Sequence, residues 1–239
     1  VAPLRVEASH RSEMVSQVLY GESFEIINIS KEWAKVKLDH DGYSGFISNT
    51  QFDPKKSSAP DLDLSTIGIV REKQGTYHID EEEKQLIAGC IYATDLNQLN
   101  DLFSTKATPA RNQACEMAIK LLETPYLWGG RSSYGVDCSG LTQLCYRVAG
   151  YNIPRDAHQQ AEQGTTVVFV EEVVRGDLAF FDNEEGSITH VGLCLGENKI
   201  IHAHGMVRVD HLDQQGIFNT DRGVYTHNLR IIKSYLPDY

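Results

Sequence analysis

The chain has 239 residues, enough for one large domain or two smaller ones, and its 41% hydrophobic and 23% charged content is that of a folded chain, not a disordered one. Lys and Arg number 22 against 33 Asp and Glu, a formal net charge of −11; an acidic chain without a concentrated basic stripe is a poor candidate for gripping nucleic acid. No apolar run approaches the ~20 residues that a bilayer-spanning helix needs, which excludes a transmembrane helix.

The first fifty residues read as short strands. Gly21-Glu22 punctuates the run at Gln17–Tyr20, Ser23–Ile29 alternates loosely, and Glu32–Leu38 alternates around Trp33 and Val36. Asp41-Gly42 is a strong turn dipeptide before Tyr43–Ile47. So many strands in so little sequence predict a small barrel over residues 1–55. Asp53–Asp63 is rich in Pro, Ser and charge and reads as a linker. Residues 56–107 are expected to hold this linker and additional strands, Thr76–Ile79 and Gln85–Tyr92, that extend the N-terminal domain. A second unit over 108–239 opens with a helix, Ala110–Leu122, behind Pro109. A second helix, Ser139–Ala149, places Leu141, Leu144, Cys145 and Val148 at i, i+3, i+4 and i+7. Strands are predicted at Thr166–Val170, Leu178–Phe181, Thr189–Leu195, Lys199–Ala203 and Leu229–Tyr235. Helices first and an antiparallel sheet afterwards describe an α+β domain.

The five cysteines, Cys90, Cys115, Cys138, Cys145 and Cys194, are odd in number and form no CxxC pair, so neither a disulfide framework nor a zinc ribbon is signalled. A thiolate is the reactive form, and a helix N-terminus lowers a thiol pKa through its unpaired N–H groups. Only Cys138, in Asp137-Cys138-Ser139-Gly140 just before the apolar stripe, sits where this operates; the others read as buried filler. A thiol that cleaves amides needs a general base, and histidine has the pKa for it. His190 opens one strand and His202 closes the next, across a turn near Gly196. Their shared parity puts both on one face of a hairpin, where His190 can meet the thiol and His202 can hold its outer nitrogen. His10, His40, His78, His211 and His227 read as surface residues; His158 and His204 are ambiguous. Zinc held by His190, Cys194, His202 and His204 is a competing reading, but that spacing matches no common structural zinc module and would leave Cys138 unused. No cofactor or metal is expected.

Residues 126–140, YLWGGRSSYGVDCSG, resemble the nucleophile segment of the NlpC family of bacterial cell-wall cysteine peptidases. Ile153-Pro154-Arg155-Asp156, Arg175-Gly176-Asp177-Leu178, Thr189-His190-Val191-Gly192 and Ile200-Ile201-His202-Ala203 follow in the family's order. Residues 4–52, with Gly42–Ile47, are similar to a bacterial SH3-like domain. The resemblance implies an α+β, papain-like catalytic domain preceded by a small SH3-like β-barrel. It also implies hydrolysis of peptidoglycan stem peptides between γ-D-glutamate and a diamino acid such as meso-diaminopimelate, in wall turnover or recycling. Cys138 would be the nucleophile, His190 the base and His202 the orienting residue. Tyr43, Tyr126, Asp137, Ser139 and Asp156 would bind substrate, together with an N-terminal acid, Glu7 or failing that Glu13. Such acids can pair with the cationic α-amino group of a free N-terminal L-alanine in a partly desolvated pocket. Independently of the resemblance, Asp156 reads as the cap of Ala157–Gln163 and Glu7 as an exposed strand charge.

Two other readings keep the same residues: a noncatalytic wall-binding protein, and an amidase or acyltransferase that passes the thioester to an acceptor other than water. A monomer is expected. The cysteine usage favours a cytoplasmic, recycling location, or a periplasmic or secreted one if a leader has been removed ahead of Val1.

Overall fold

The computed structural model describes residues 1–53, 67–79, 82–93 and 109–236; the expected linker lies outside them from residue 54 onward. The N-terminal unit has five strands, β1 (Ala2–Arg5), β2 (Met14–Val18), β3 (Phe24–Ile29), β4 (Trp33–Leu38) and β5 (Ser44–Ser48), in the antiparallel order β2-β1-β5-β4-β3. Alternation in β4 turns Ala34, Val36 and Leu38 inward onto Leu4, Val18 and Ile47. The β4–β5 turn contains Gly42 at φ +72°, and the Asp41 carboxylate accepts the Tyr43 amide at 2.9 Å, fixing the base of the Tyr43 side chain.

Next come β6 (Ile67–Ile69), β7 (Gln74–Ile79), β8 (Glu82–Ile87) and β9 (Ile91–Ala93), paired β6 with β9 and β7 with β8. The expected strand Gln85–Tyr92 is thus two strands, broken by a turn at Ala88-Gly89. Val70, Leu86, Ile87, Cys90 and Tyr92 share one apolar core with the helices of the C-terminal unit.

That unit opens with α1 (Ala110–Lys120), followed by the short pair β10 (Arg131–Ser132) and β11 (Gly135–Val136), then α2 (Cys138–Val148) and α3 (Ala157–Ala161). All eleven residues of α2 are buried. β12 (Thr165–Val167), β13 (Leu178–Asp182), β14 (Ile188–Gly196), β15 (Lys199–His204), β16 (Met206–Leu212), β17 (Gly216–Asn219) and β18 (Val224–Ser234) form an antiparallel sheet. Because β18 pairs with β17 along its first half and with β13 along its second, six strands close into a barrel with β12 appended. Residues alternate accordingly. Phe180, Val191, Leu193, Ile201 and Ala203 face α1 and α2, while Ala179, Phe181, Cys194, Ile200 and Ile217 fill the barrel. Among the described residues no helix is long and apolar enough to cross a membrane.

Buried polar contacts join the two units. Glu22 of the small domain accepts two contacts from Arg131 Nη1, at 2.8 and 2.9 Å, and lies 3.3 Å from Arg147 Nε; all three side chains are buried. Gly129, at φ +74°, lets the chain pass β2 so closely that a Cβ there would stand 2.2 Å from the Met14 carbonyl oxygen.

Candidate active site

The cleft lies where the two domains meet, with a volume of about 550 Å³. Cys138 is on its floor. The chain turns into α2 because Asp137 is extended (φ −90°, ψ 179°) and its Oδ1 accepts the Gly140 amide at 2.7 Å as N-cap. Cys138 is therefore the first helical residue, 7% exposed. Burial pushes its thiol up to about 11, with the Asp137 charge adding to the effect; the main-chain amides of Val191 and Ser139 pull the other way. This corrects the expectation that the helix start makes the sulfur anionic. In the free protein desolvation wins and the thiol keeps its proton.

The amide of Val191 places that sulfur beside β14, one residue from His190. His190 Nε2 and His202 Nδ1 are 2.8 Å apart, and His202 Nε2 is 3.0 Å from Asp210 Oδ2 on β16. His190 and His202 are both buried, and their pKa values are lowered, well below the usual range for His190. Burial is the chief cause for each; beyond it, neighbouring histidines lower His190 further, while Asp210 partly offsets the shift at His202. Both rings are neutral at physiological pH. His227 is no surface residue, contrary to expectation. β18 brings its ring onto His190 in a stack with centroids 4.0 Å apart and an interplanar angle of 20°.

The metal reading fails on this geometry. Cys194 belongs to the apolar barrel interior, away from the histidine cluster. Ring nitrogens of His190, His202 and His227 do lie within 4.8 Å of one another. In near-parallel stacked rings, however, the in-plane lone pairs of His190 and His227 run side by side and do not converge on one point.

The residues expected to bind substrate separate into two groups. Tyr43, Tyr126, Asp137, Ser139 and Asp156 all line the cleft with Cys138. Asp137 and Ser139 also make hydrogen bonds within the protein. The Asp137 carboxylate takes the Gly129 and Gly140 amides and a two-pronged contact from Arg155, at 3.0 and 2.5 Å, while Arg155 Nη1 also donates to Ser139 Oγ at 2.9 Å. These contacts hold the start of α2 from within the cleft lining. Arg155, 2% exposed, is the residue sequence reasoning passed over; its signal was its place in the Ile153–Asp156 motif. The other group is open. Tyr43 Oη donates to Asp156 Oδ1 at 3.3 Å across the domain boundary, and both residues are half-buried. Asp156 also opens α3, so the capping role and the cleft position coexist. Burial raises the Tyr43 and Tyr126 phenols to about 12; for Tyr43 the Asp156 charge adds to this, for Tyr126 the nearby Cys138 does. Both hydroxyls therefore remain donors.

Glu7 is corrected. It is exposed in the β1–β2 turn, where its amide donates to Ser12 Oγ, and it is not among the residues lining the cleft. Glu13, at the far end of the same turn, does line it and accepts Trp128 Nε1–H at 2.6 Å. The turn folds back on itself, so the residue just before β2, not the one just after β1, meets the catalytic domain.

A thiol at a helix start, a histidine row in the mouth of a barrel and an SH3-like domain walling the cleft define a two-domain, papain-like cysteine peptidase. Residues 123–225 match the NlpC/P60 family and residues 4–52 the bacterial dipeptidyl-peptidase Sh3 domain. The chain belongs to the NlpC/P60 family. It is 30% identical over 212 residues to a gamma-D-glutamyl-L-lysine dipeptidyl-peptidase of Bacillus subtilis, covering 79% of this chain and 71% of that protein. A protein of the same name from Bacillus cereus is 26% identical over 230 residues, 82% of this chain and 68% of the other. In fold, the chain is similar to the crystal structure of an NlpC/P60 family protein from Bacillus cereus, with a TM-score of 0.71 over 94% of this chain and 83% of that one at 22% identity.

Proposed function

We propose that the protein hydrolyses peptidoglycan stem peptides between γ-D-glutamate and a diamino acid, acting on peptides that begin with a free L-alanine. The observation that carries this reading is the cleft itself: Cys138 shares one 550 Å³ space with Glu13, Tyr43 and Asp156. Two carboxylates and a phenol in the cleft suit a cationic α-amino group, and a substrate lacking that amine forgoes the charge-assisted bonds to the half-buried Asp156. The dipeptidyl-peptidase relatives support the same substrate class.

The chemistry follows from the neutral resting pair. As Cys138 Sγ attacks the γ-carbonyl carbon of D-glutamate, its proton passes to His190. The oxyanion is met by the Cys138 amide at the helix start and by the Tyr126 hydroxyl. His190 returns the proton to the departing amine of the diamino acid, leaving a thioester on Cys138. Water, deprotonated by His190, then attacks the thioester and releases the L-Ala-γ-D-Glu dipeptide and the thiol. Five free cysteines suit a reducing compartment, and the cytoplasm, in a recycling role, is the location we propose.

The experiment is to incubate the protein with L-Ala-γ-D-Glu-diaminopimelate, its L-lysine counterpart and the N-acetylated form of each, and to follow dipeptide release by mass spectrometry. Release from the free peptides with at least a ~100-fold lower kcat/KM for the acetylated ones is expected, and Cys138→Ala should show no turnover with an unchanged circular dichroism spectrum. Equal cleavage of blocked and free peptides would remove the amine-recognition reading. Activity retained in Cys138→Ala would remove the mechanism.

A further inference from the structure

His202 is not the end of the row. Its Nε2 meets Asp210 Oδ2 at 3.0 Å, and neither side chain is exposed to solvent. Arg208, two residues before Asp210 on the same strand, grips that carboxylate with a fork: Nε to Oδ2 at 2.7 Å and Nη2 to Oδ1 at 2.9 Å. Burial acts to raise the Asp210 pKa, but the hydrogen bonds from His202 and Arg208 outweigh it, and the carboxyl stays below the usual range, ionised.

The consequence is a matter of counting protons. An ionised carboxylate can only accept, so the hydrogen between Asp210 and His202 belongs to His202 Nε2. A neutral imidazole carries one N–H, which leaves His202 Nδ1 with a lone pair. The 2.8 Å contact to His190 is then a hydrogen bond only if His190 Nε2 is the donor. His190 in turn is left with its lone pair on Nδ1, the nitrogen turned away from His202. We propose that Asp210, held by Arg208, is a positioning residue that sets the tautomers of both histidines, so that His190 offers a bare Nδ1 to the thiol proton. The proposal rests on the reading of Cys138 and His190 as nucleophile and base. The row crosses three strands, so no local pattern in the sequence marks it.

The test is Asp210→Asn in the full chain. The amide can donate from its NH2 group to His202 Nε2; the proton then moves to His202 Nδ1, the bond to His190 reverses, and His190 carries its proton on Nδ1. The ¹⁵N imidazole resonances of His190 and His202, assigned by single-histidine substitution, should read Nε2–H for both residues in the unsubstituted protein and Nδ1–H for both in Asp210→Asn. A carboxylate-to-amide change in a serine triad lowers kcat by ~10⁴; here the carboxylate is one ring further away, and a kcat loss of ~10²–10³ with KM within about twofold is expected. Resonances showing Nδ1–H on either histidine of the unsubstituted protein overturn the proposal, a reading that needs neither substrate nor a folded variant. Inverted tautomers with kcat unchanged overturn the role of Asp210. Absence of any turnover by the unsubstituted protein would sink the substrate reading instead, and the tautomers would still be measurable.

Discussion

Two polar assemblies, one behind the cleft and one in its wall, are built on opposite terms. In the row from His190 through His202 to Asp210 and Arg208, the rings and the carboxylate are buried and joined by contacts of 2.7–3.0 Å within the protein. On the small-domain side, Tyr43 and Asp156 are half-buried and share a single 3.3 Å bond. A row with its hydrogen bonds already made cannot reorganise when charge develops, which is what proton transfer at a fixed place requires. A wall with spare acceptor capacity has something left to give a ligand. The difference separates chemistry from selection in one cleft, and the two should fail differently when altered.

The largest effect is expected where the two assemblies share a foundation. Arg155 pairs with Asp137 under the start of α2 and also donates to Ser16 Oγ of the small domain, at 3.2 Å. Arg155→Ala leaves the Asp137 carboxylate buried without its cation, and removing one member of such a pair costs ~3–5 kcal/mol. Urea denaturation should show a loss of that order, with activity falling on acetylated and free substrates alike. A loss below about 1 kcal/mol would mean that the amides of Gly129 and Gly140 satisfy Asp137 unaided.

The row itself should be acid-labile. The folded-state pKa values of His190, His202 and His227 are all lowered, that of His227 to about 4, chiefly by burial. Below pH ~6.5 the unfolded chain therefore binds protons that the folded chain refuses, and stability falls as pH drops from 6.5 toward 4. Each fully buried histidine contributes up to about 1.4 kcal/mol per pH unit in that window, and the more open His227 less. The same neutrality keeps His190 a base, so kcat/KM should hold well below the ~6.5 at which a free imidazole titrates, with no thiolate limb before the thiol region near 11. Melting temperatures from pH 4 to 8 check the first statement. His227→Asn should flatten the slope, and an unchanged slope would put the acid lability elsewhere.

How far the sequence discloses these two assemblies depends on where their signals lie. The helix at Cys138 and the hairpin of His190 and His202 are legible because capping and strand parity are local; the alternation of β13, β14 and β15 likewise marked strands. The barrel closure is not legible. β16 mixes Arg208, Asp210 and His211 with its apolar residues, β17 is only four residues long, and β18 begins well before its predicted start at Leu229, so the strands that deliver Asp210 and His227 carry no clear local signal. His40 reads as a surface residue for a similar reason: Glu22, 4.0 Å from its ring, stands far earlier in the same small domain and meets it only once those strands have folded together. The sequence ranks Glu7 ahead of Glu13, and the order reverses because five residues of turn lie between them and only the docked catalytic domain shows which end of the turn it meets.

The smallest effect tests the wall most sharply. Tyr43→Phe keeps the ring and deletes one hydroxyl, whose bond to Asp156 crosses between domains. At 3.3 Å that bond is long, so its loss should change stability by no more than ~0.5–1 kcal/mol. In binding, the hydroxyl and the carboxylate act on the same amine, and kcat/KM for free-amine peptides should fall about three- to tenfold, with no change for acetylated ones. Asp156→Asn should cost more, ~10–100-fold, because it removes the charge itself. The double variant should lose less than the product of the two, since the Tyr43 hydroxyl acts partly by orienting the Asp156 oxygen. Strict multiplicativity would show that Tyr43 touches substrate independently of Asp156, and the small domain would then supply its own contact to the peptide.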